Sequence, residues 1–230
     1  MKNIHPIVTT FVQRLADLEF DCVFNPYAEA CAAHDAPNAA AIRRRNLTLV
    51  LDAALTHGVE SFWIARDLGY RGGRRTGLAL TDEMHLAAHA NLVGALPLKR
   101  ATRGPAMSER TATVIWQALV DVRRPIFLWN IFPLHPHDRG DPLSNRCHTR
   151  AERQACSPLL FSLLDILRPK SVVAIGRDAQ LALASLDVQA YQVRHPSYGG
   201  QTEFLDGIYK HYGVTPSVKA TAKACSEQLF

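Results

Sequence analysis

The sequence of 230 residues lacks the signatures of secreted, membrane-spanning and disulfide-rich proteins. Its five cysteines are an odd number without a CxxC pair, which predicts reduced thiols in a cytoplasm. The N-terminal stretch is interrupted by Gln13, Arg14 and Asp17, which excludes the apolar centre of a signal peptide. No apolar run approaches the length of a membrane span. We therefore expect a cytoplasmic protein with no membrane partner.

Motifs for nucleotide cofactors and repeats are also lacking. Neither GxGxxG nor a Walker sequence occurs, so we expect no cofactor. The pairs His85/His89 and His135/His137 lack an obvious third ligand, and we expect no metal site. The composition, 47% hydrophobic and 20% charged, is ordinary for a soluble globule. The length fits a single domain over residues 1–230, and we expect no obligate protein partner.

The net charge of +5 is mild, but the basic residues are clustered. Three groups stand out: Arg43, Arg44 and Arg45; Arg71, Arg74 and Arg75; Lys99, Arg100 and Arg103. Each group could contact phosphates or form a solvated face, and the sequence leaves both interpretations open.

Short apolar runs alternate with helical patterns along most of the chain. Helices are predicted over 6–17 and 38–57, which makes residues 1–60 a helical part of the same domain. Four apolar runs follow, at 61–65, 126–132, 171–175 and 191–193, with helices predicted over 82–93, 108–122, 150–167, 177–186 and 202–211. This alternation predicts an α/β fold, a three-layer α/β/α sandwich around a central, mainly parallel sheet of four strands.

Polar residues of types suited to catalysis or ligand binding lie in or just after three of these runs. Ligands of such sheets bind beyond the carboxyl ends of the strands. Asp67 follows the first run, in a loop whose glycines permit close approach of a ligand; it could also cap a helix or a turn. Asn130 lies in an apolar run, where its amide needs a partner, either backbone or the N–H and carbonyl of a pyrimidine edge. His195 begins a rigid His-Pro-Ser turn.

Taken in order, these segments resemble the uracil-DNA glycosylase superfamily. The first motif corresponds to residues 65–69, the strand-end asparagine to Asn130, and the final motif to His195-Pro196-Ser197. The resemblance extends over about residues 61–212 and implies hydrolysis of the N-glycosidic bond of deoxyuridine, with base flipping, which leaves an abasic site. It implies that Asp67 stabilises the cationic sugar and orients water, that His195 binds the uracil carbonyl, and that Asn130 rejects cytosine.

Several positions depart from the superfamily pattern. Its stacking phenylalanine corresponds to Leu80, so Trp129 or Tyr70 is a candidate to stack on the base. The tyrosine that blocks the thymine methyl corresponds to Gly69, which leaves exclusion of thymine open. The cysteine spacings do not match those of the iron–sulfur branch, and we expect no cluster.

The resemblance also implies contacts with DNA, single- or double-stranded, around the final motif. Ser197, Gly199 and nearby amides would hold phosphates, and Tyr198 would wedge into the vacated stack, with Gln201 as its rival. The residues of the second and third basic groups are the other candidate DNA contacts, with residues 99–105 as a clamp or a solvated loop. Two other functions stay open: a protein that binds damaged or abasic DNA with weak turnover, and an unrelated α/β hydrolase acting on a small nucleoside.

Overall fold

The computed structural model describes residues 4–215, and a sheet of four parallel strands lies at its centre. The strands within this range are β1 (Val23–Phe24), β2 (Ser61–Asp67), β3 (Ile126–Phe132), β4 (His135–Pro136), β5 (Ser171–Ile175) and β6 (Tyr191–Val193). The spatial order of the central sheet is β3–β2–β5–β6, while β1 and β4 form a separate antiparallel pair. The predictions for 126–132, 171–175 and 191–193 are confirmed to the residue. The first strand runs two residues further than predicted, so Asp67 ends it.

Helices cover both faces of this sheet. They are α1 (Pro6–Ala16), α2 (Ala39–His57), α3 (Gly73–Thr76), α4 (Leu86–Val93), α5 (Arg110–Val122), α6 (Arg150–Leu167), α7 (Arg177–Ala184) and α8 (Gln201–Tyr212), with a 3-10 turn at Glu83–His85 before α4. The prediction of one helix over 82–93 therefore becomes a 3-10 turn followed by α4. In the part of the chain described, no helix is both long and apolar enough to cross a membrane.

The alternation of side chains along β2 divides the core into two apolar layers. Phe62 and Ile64 pack with the apolar faces of α1, α2 and α6. Trp63 and Ala65 point the other way and pack with those of α5 and α8. Because successive side chains of a strand alternate between faces, a strand buried on both sides reads as a continuous apolar run. The three-layer α/β/α sandwich predicted from the sequence is confirmed.

The strand order creates a crevice at the carboxyl edge of the sheet. From β2 the chain moves to one side to form β3, then crosses to the other side to form β5, so the order reverses between β2 and β5. Open α/β sheets bind ligands at such a reversal. The register aligns Ala65 with Asn130 and Asp67 with Phe132, which brings the predicted site residues of β2 and β3 to this edge.

Candidate active site at the carboxyl edge of the sheet

A cavity of about 540 Å³ opens at this crevice, and we call it the site cavity. Six of the residues predicted from the sequence lie on its walls: Asp67, Gly69, Leu80, His195, Ser197 and Tyr198. The other predicted residues do not line it: Asn130, Tyr70, Gly199, Arg71, Arg74, Arg75, Lys99, Arg100 and Arg103. The volume falls in the range of ligand pockets and is ample for a single nucleobase.

The carboxylate of Asp67, at the end of β2, is fixed from two sides. Nε of Arg66 donates to Oδ2 at 2.6 Å, and Nδ1 of His148 contacts Oδ1. The same guanidinium donates to Asp178 at 2.9 Å, so Arg66 bridges two carboxylates. The structure thus holds a buried negative charge at the cavity wall in one orientation, which is what stabilisation of a developing positive charge requires.

Sequence reasoning missed His148, which lies 81 residues from Asp67. Its position is determined by the start of α6, because the next residue, Thr149, is the N-cap in a capping box with Glu152. Arg146 reinforces the same loop, since its guanidinium donates to both carboxylate oxygens of Glu152 at 2.9 and 2.6 Å. The capping pattern was readable in the sequence, but the contact between His148 and Asp67 was not.

His195 faces the site cavity as a neutral imidazole. The backbone N–H of Ser197 donates to Nδ1 at 3.2 Å, which leaves the ring proton on Nε2. Burial, followed by the charges of Arg66 and Arg194, lowers the pKa of His195 to about 4. The ring therefore offers a hydrogen-bond donor at neutral pH without carrying a full charge.

Asn130 is aligned with Ala65, a residue of the cavity wall, and its amide is unsatisfied. Its side chain points to the same face as Trp63 and Ala65, and the residue is 1% exposed. Neither Oδ1 nor Nδ2 has a hydrogen-bond partner within residues 4–215. Leaving both polar atoms of a buried amide unpaired is costly, and a role in catalysis or ligand binding is one explanation for such an exception. The alternative that backbone groups satisfy Asn130 is wrong for this structure.

The loop over residues 68–73, here called the glycine loop, forms another wall. Gly69 and Gly73 line the cavity, whereas Tyr70 lies outside it; the amide of Tyr70 donates to Asn145 at 3.0 Å. Leu80 lines the cavity from the following segment, with a left-handed backbone (φ 55°) held by a hydrogen bond from Trp116 to its carbonyl. A non-glycine residue in this conformation is uncommon and often marks a functional site.

Glu109 is a second residue that the sequence analysis did not identify. It is the N-cap residue of α5, it lines the site cavity, and its carboxyl packs on the glycine loop. Burial and the nearby charge of Asp82 raise the pKa of Glu109 to about 7, against the opposing effect of Arg71. No sequence motif surrounds Glu109, so only the fold reveals its position.

Comparison with known proteins places this geometry in a family. A family model described as the uracil DNA glycosylase superfamily matches residues 82–217, more than half of the chain. The chain belongs to this superfamily. The matched segment includes Asn130 and His195 and begins after the glycine loop. No curated protein matches the chain.

Among solved structures, the chain is similar to SMUG2 of Pedobacter heparinus. The TM-score is 0.60 and the sequence identity 13%, and the match covers 96% of this chain and 98% of that chain. At this identity the similarity shows a shared fold. Membership of the superfamily supports an enzyme of the DNA glycosylase class that acts on DNA.

Two exposed features of this superfamily member surround the site cavity. Tyr198 is 98% exposed and has a left-handed backbone (φ 51°). It separates the site cavity from a second groove of about 490 Å³, which includes Gly199 and Gln201. Three exposed arginines, unassigned by the sequence analysis, border these two depressions: Arg110, Arg177 and Arg194.

The structure corrects the expected DNA contacts of Arg74 and Arg75, which are 2% and 5% exposed. The guanidinium of Arg74 lies 3.8 Å from the ring centroid of Phe24 and donates to the carbonyl of Pro142 at 2.7 Å. Nε of Arg75 donates to the buried carboxylate of Glu83 at 3.0 Å. Both arginines are internal cross-links and do not face solvent.

The remaining basic residues differ in their exposure. Lys99, Arg71 and Arg103 are exposed, while Arg100 is half-buried and donates to the carbonyls of Thr102 and Gly104. Arg43, from the first basic group, is fully buried against Asp35 at 2.6 Å. Clustering in the sequence therefore does not distinguish surface arginines from internal ones.

The structure also corrects one candidate for base stacking. Trp129 is 2% exposed and packs on Phe11 in the apolar layer opposite the site cavity, with ring centroids 5.7 Å apart. Across residues 4–215, no group of three or more histidine, cysteine or acidic residues has an arrangement that could hold a metal ion. Cys225 lies outside the described residues.

Replacement of Arg75 by alanine is expected to affect stability and not DNA binding. The change leaves the Glu83 carboxylate buried without its closest cation, which should lower the free energy of unfolding by about 3 kcal/mol. Urea denaturation measures this loss. The matched control is Arg71→Ala, which removes an exposed arginine: stability should hold, and if Arg71 contacts phosphate the salt slope of DNA binding falls by about 0.9. A stable Arg75→Ala protein with a reduced salt slope would reverse this interpretation.

Proposed function

We propose that the protein hydrolyses the N-glycosidic bond of deoxyuridine in DNA and leaves an abasic site. One observation carries this proposal: a fixed carboxylate, Asp67, and a neutral imidazole donor, His195, line one cavity, and the unpartnered amide of Asn130 belongs to the residue aligned with Ala65 of the cavity wall. The glycosidic carbon is inaccessible inside a duplex, so the proposal includes extrusion of the base into the site cavity.

The roles of the three residues follow from their charges and protons. Cleavage of the bond between C1′ and N1 leaves positive charge on the sugar, which the Asp67 carboxylate stabilises while it orients the attacking water. The bonding electron pair moves to the base, whose carbonyl oxygen accepts the hydrogen bond from Nε2–H of His195. Water forms the new bond to C1′, and the proton that it loses is taken up by the uracil anion, so that neutral uracil leaves. The Asn130 amide does not reach the cavity in this structure, so the proposed mechanism requires that entry of the base uncovers it. It then supplies an acceptor for N3–H and a donor for O4 of uracil, a pairing that cytosine does not match.

The decisive experiment is a panel of oligonucleotides that each carry one altered base. The protein is incubated with each under single- and multiple-turnover conditions, and strand breaks at abasic sites are quantified after alkali. We expect cleavage at uracil and none at cytosine. Absence of cleavage at uracil in both single- and double-stranded DNA would overturn the proposal.

A second function is favoured by the closure of the site: binding of damaged or abasic DNA with weak turnover. Asp67 is occupied by Arg66 and His148, and the Asn130 amide does not reach the open cavity. A protein of this type would bind a stable abasic analogue tightly and stop after one turnover. The nucleoside hydrolase alternative would instead cleave free deoxyuridine, and a parallel incubation with free deoxyuridine, in which released uracil is quantified, tests it.

Replacement of Tyr198 by alanine is expected to lower excision from duplex DNA by about tenfold, and from single strands by much less. A stacked aromatic ring contributes about 1–3 kcal/mol, and only a duplex needs its vacated stack filled. Single-turnover rates on both substrates measure the difference. Tyr191→Ala is the matched control, because Tyr191 is also exposed but stacks on His211 away from the cavity. Equal losses on the two substrates would contradict the wedge role, and Gln201→Ala tests the rival.

A further inference from the structure

The carboxyl of Glu109 is built into the glycine loop. An added Cβ at Gly69 would lie 2.7 Å from Oε1 of Glu109, and one at Gly72 would lie closer still to Oε2. Both distances are too short for a real side chain, so these two glycines create the space that the carboxyl occupies. The loop and the start of α5 thus form one composite wall of the site cavity, with the carboxyl at its surface.

This carboxyl has hydrogen-bonding capacity that the protein does not use. The other two carboxylates of the cavity wall have partners: Asp67 binds Arg66 and His148, and Asp178 binds Arg66. For the Glu109 side chain, no hydrogen bond forms with any residue of the described range 4–215. Only its backbone is bonded: its N–H donates to Asp82 at 2.7 Å, and its carbonyl accepts from the backbone N–H of Thr113 at 3.0 Å. A half-buried carboxyl of this kind is completed by water or by a ligand.

The charge of the carboxyl restricts which part of a nucleic acid it can contact. A carboxylate repels phosphates, so Glu109 faces a neutral part of the ligand. In the proposed reaction, N1 of uracil joins the sugar, His195 binds a carbonyl, and Asn130 reads N3–H and O4. The C5–C6 edge of the base is the part without an assigned contact. Glu109 is the carboxyl of the cavity wall without a hydrogen-bond partner in the described chain.

From this geometry we propose that Glu109 is a specificity-determining residue whose carboxyl selects uracil over thymine at the C5 edge of the base. The inference rests on the proposed function. A hydrogen at C5 leaves room for water to solvate the carboxyl, whereas a methyl group displaces that water and provides no hydrogen bond. Desolvation of a polar group without compensation disfavours the methylated base.

The charge state of Glu109 gives the proposal a pH signature. Asp82, from the segment before the 3-10 turn, favours the protonated form of Glu109; Arg71, in the glycine loop, favours the ionised form; and Arg110, on its own helix, is exposed. With a pKa near 7, Glu109 is mostly protonated at pH 6 and mostly ionised at pH 8. An ionised carboxylate costs more to desolvate than a neutral acid, so discrimination against thymine should rise with pH.

The test measures binding separately from cleavage. Duplexes carry a 2′-fluoroarabino uridine or thymidine opposite guanine, because fluorine at C2′ disfavours the cationic sugar and blocks hydrolysis. The Kd ratio of thymidine to uridine duplexes is measured for wild type, Glu109→Ala, Glu109→Gln and Glu19→Ala at pH 6 and pH 8. Glu19 is an exposed glutamate outside the cavity lining, so its variant controls for the loss of one negative charge. Thermal unfolding confirms that each variant is folded.

Glu109→Ala should lower the Kd ratio by about tenfold, the effect expected when a pocket accepts one more methyl group. Glu109→Gln should keep a polar wall and discriminate at both pH values equally, while wild type and Glu19→Ala discriminate more at pH 8. An unchanged ratio in folded Glu109→Ala, or equal weakening of both duplexes, overturns the assignment. If the wild-type protein does not cleave a uracil duplex without the 2′-fluorine, the proposed function fails. The Kd ratio still decides the role of Glu109.

Discussion

Replacement of Asp67 by asparagine is expected to lower the single-turnover rate of uracil excision by about 100- to 1000-fold. Asparagine has nearly the same shape, so the end of β2 and its contact with Arg66 can persist while the negative charge is lost. The charge matters because it stabilises the cationic sugar, which forms only as the bond to the base breaks. The ground-state complex lacks that cation, so the Kd for uracil-containing DNA should change far less than the rate.

The measurement is a rapid-quench time course with enzyme in excess, combined with a binding titration on a fluorinated duplex that is not cleaved. Asp187→Asn is the matched control, since it neutralises an exposed aspartate at a left-handed position that asparagine also tolerates. A rate loss with unchanged Kd supports the assigned role. Full activity in Asp67→Asn would show that another group stabilises the sugar, and the assignment of Asp67 would be wrong.

Asp67 also shows how far the sequence determines the site. The apolar runs that form β3, β5 and β6 are bounded by polar residues or by turns, so their limits could be read directly. Parallel strands bring their carboxyl ends to one edge, and this rule together with the resemblance to the superfamily predicted that Asp67 and His195 would belong to one site; both line one cavity. What the rule does not give is orientation: Asn130 lies at the same edge, but its amide is covered.

The contacts that sequence reasoning missed are long-range pairings between loops and helix ends. His148 reaches Asp67 because the capping box at the start of α6 fixes its loop, and Glu109 reaches the glycine loop because α5 begins there. The predicted DNA contacts of Arg74 and Arg75 were wrong for the same reason. Arg75 has the sequence environment of a surface arginine, and only the position of Glu83 in three dimensions shows that it is an internal cross-link.

Replacement of His195 by alanine is expected to lower the single-turnover rate by about 100-fold, the usual effect of removing one donor to a developing negative charge. His211→Ala is the matched control, because His211 stacks on Tyr191 outside the site cavity. Loss of activity in both variants to the same degree would contradict a specific role for His195.

The pH profile tests which form of His195 acts. Its pKa is lowered to about 4, so the imidazole is neutral at every pH above about 5 and takes up a proton only as the pH falls through 4. Titration of His195 therefore leaves the rate unchanged between pH 5 and pH 8. A change of rate in that interval that is caused by titration of Glu109 should be absent from the Glu109→Gln protein. If the Glu109→Gln protein instead lost activity as the pH rose from 6 to 7, and the residual activity of a Glu109→Gln/His195→Ala protein did not, then His195 would titrate in this interval and imidazolium would be the active form. The Nε2–H of a neutral ring would then not be the donor, because a cation, and not a positioned dipole, would be holding the leaving base.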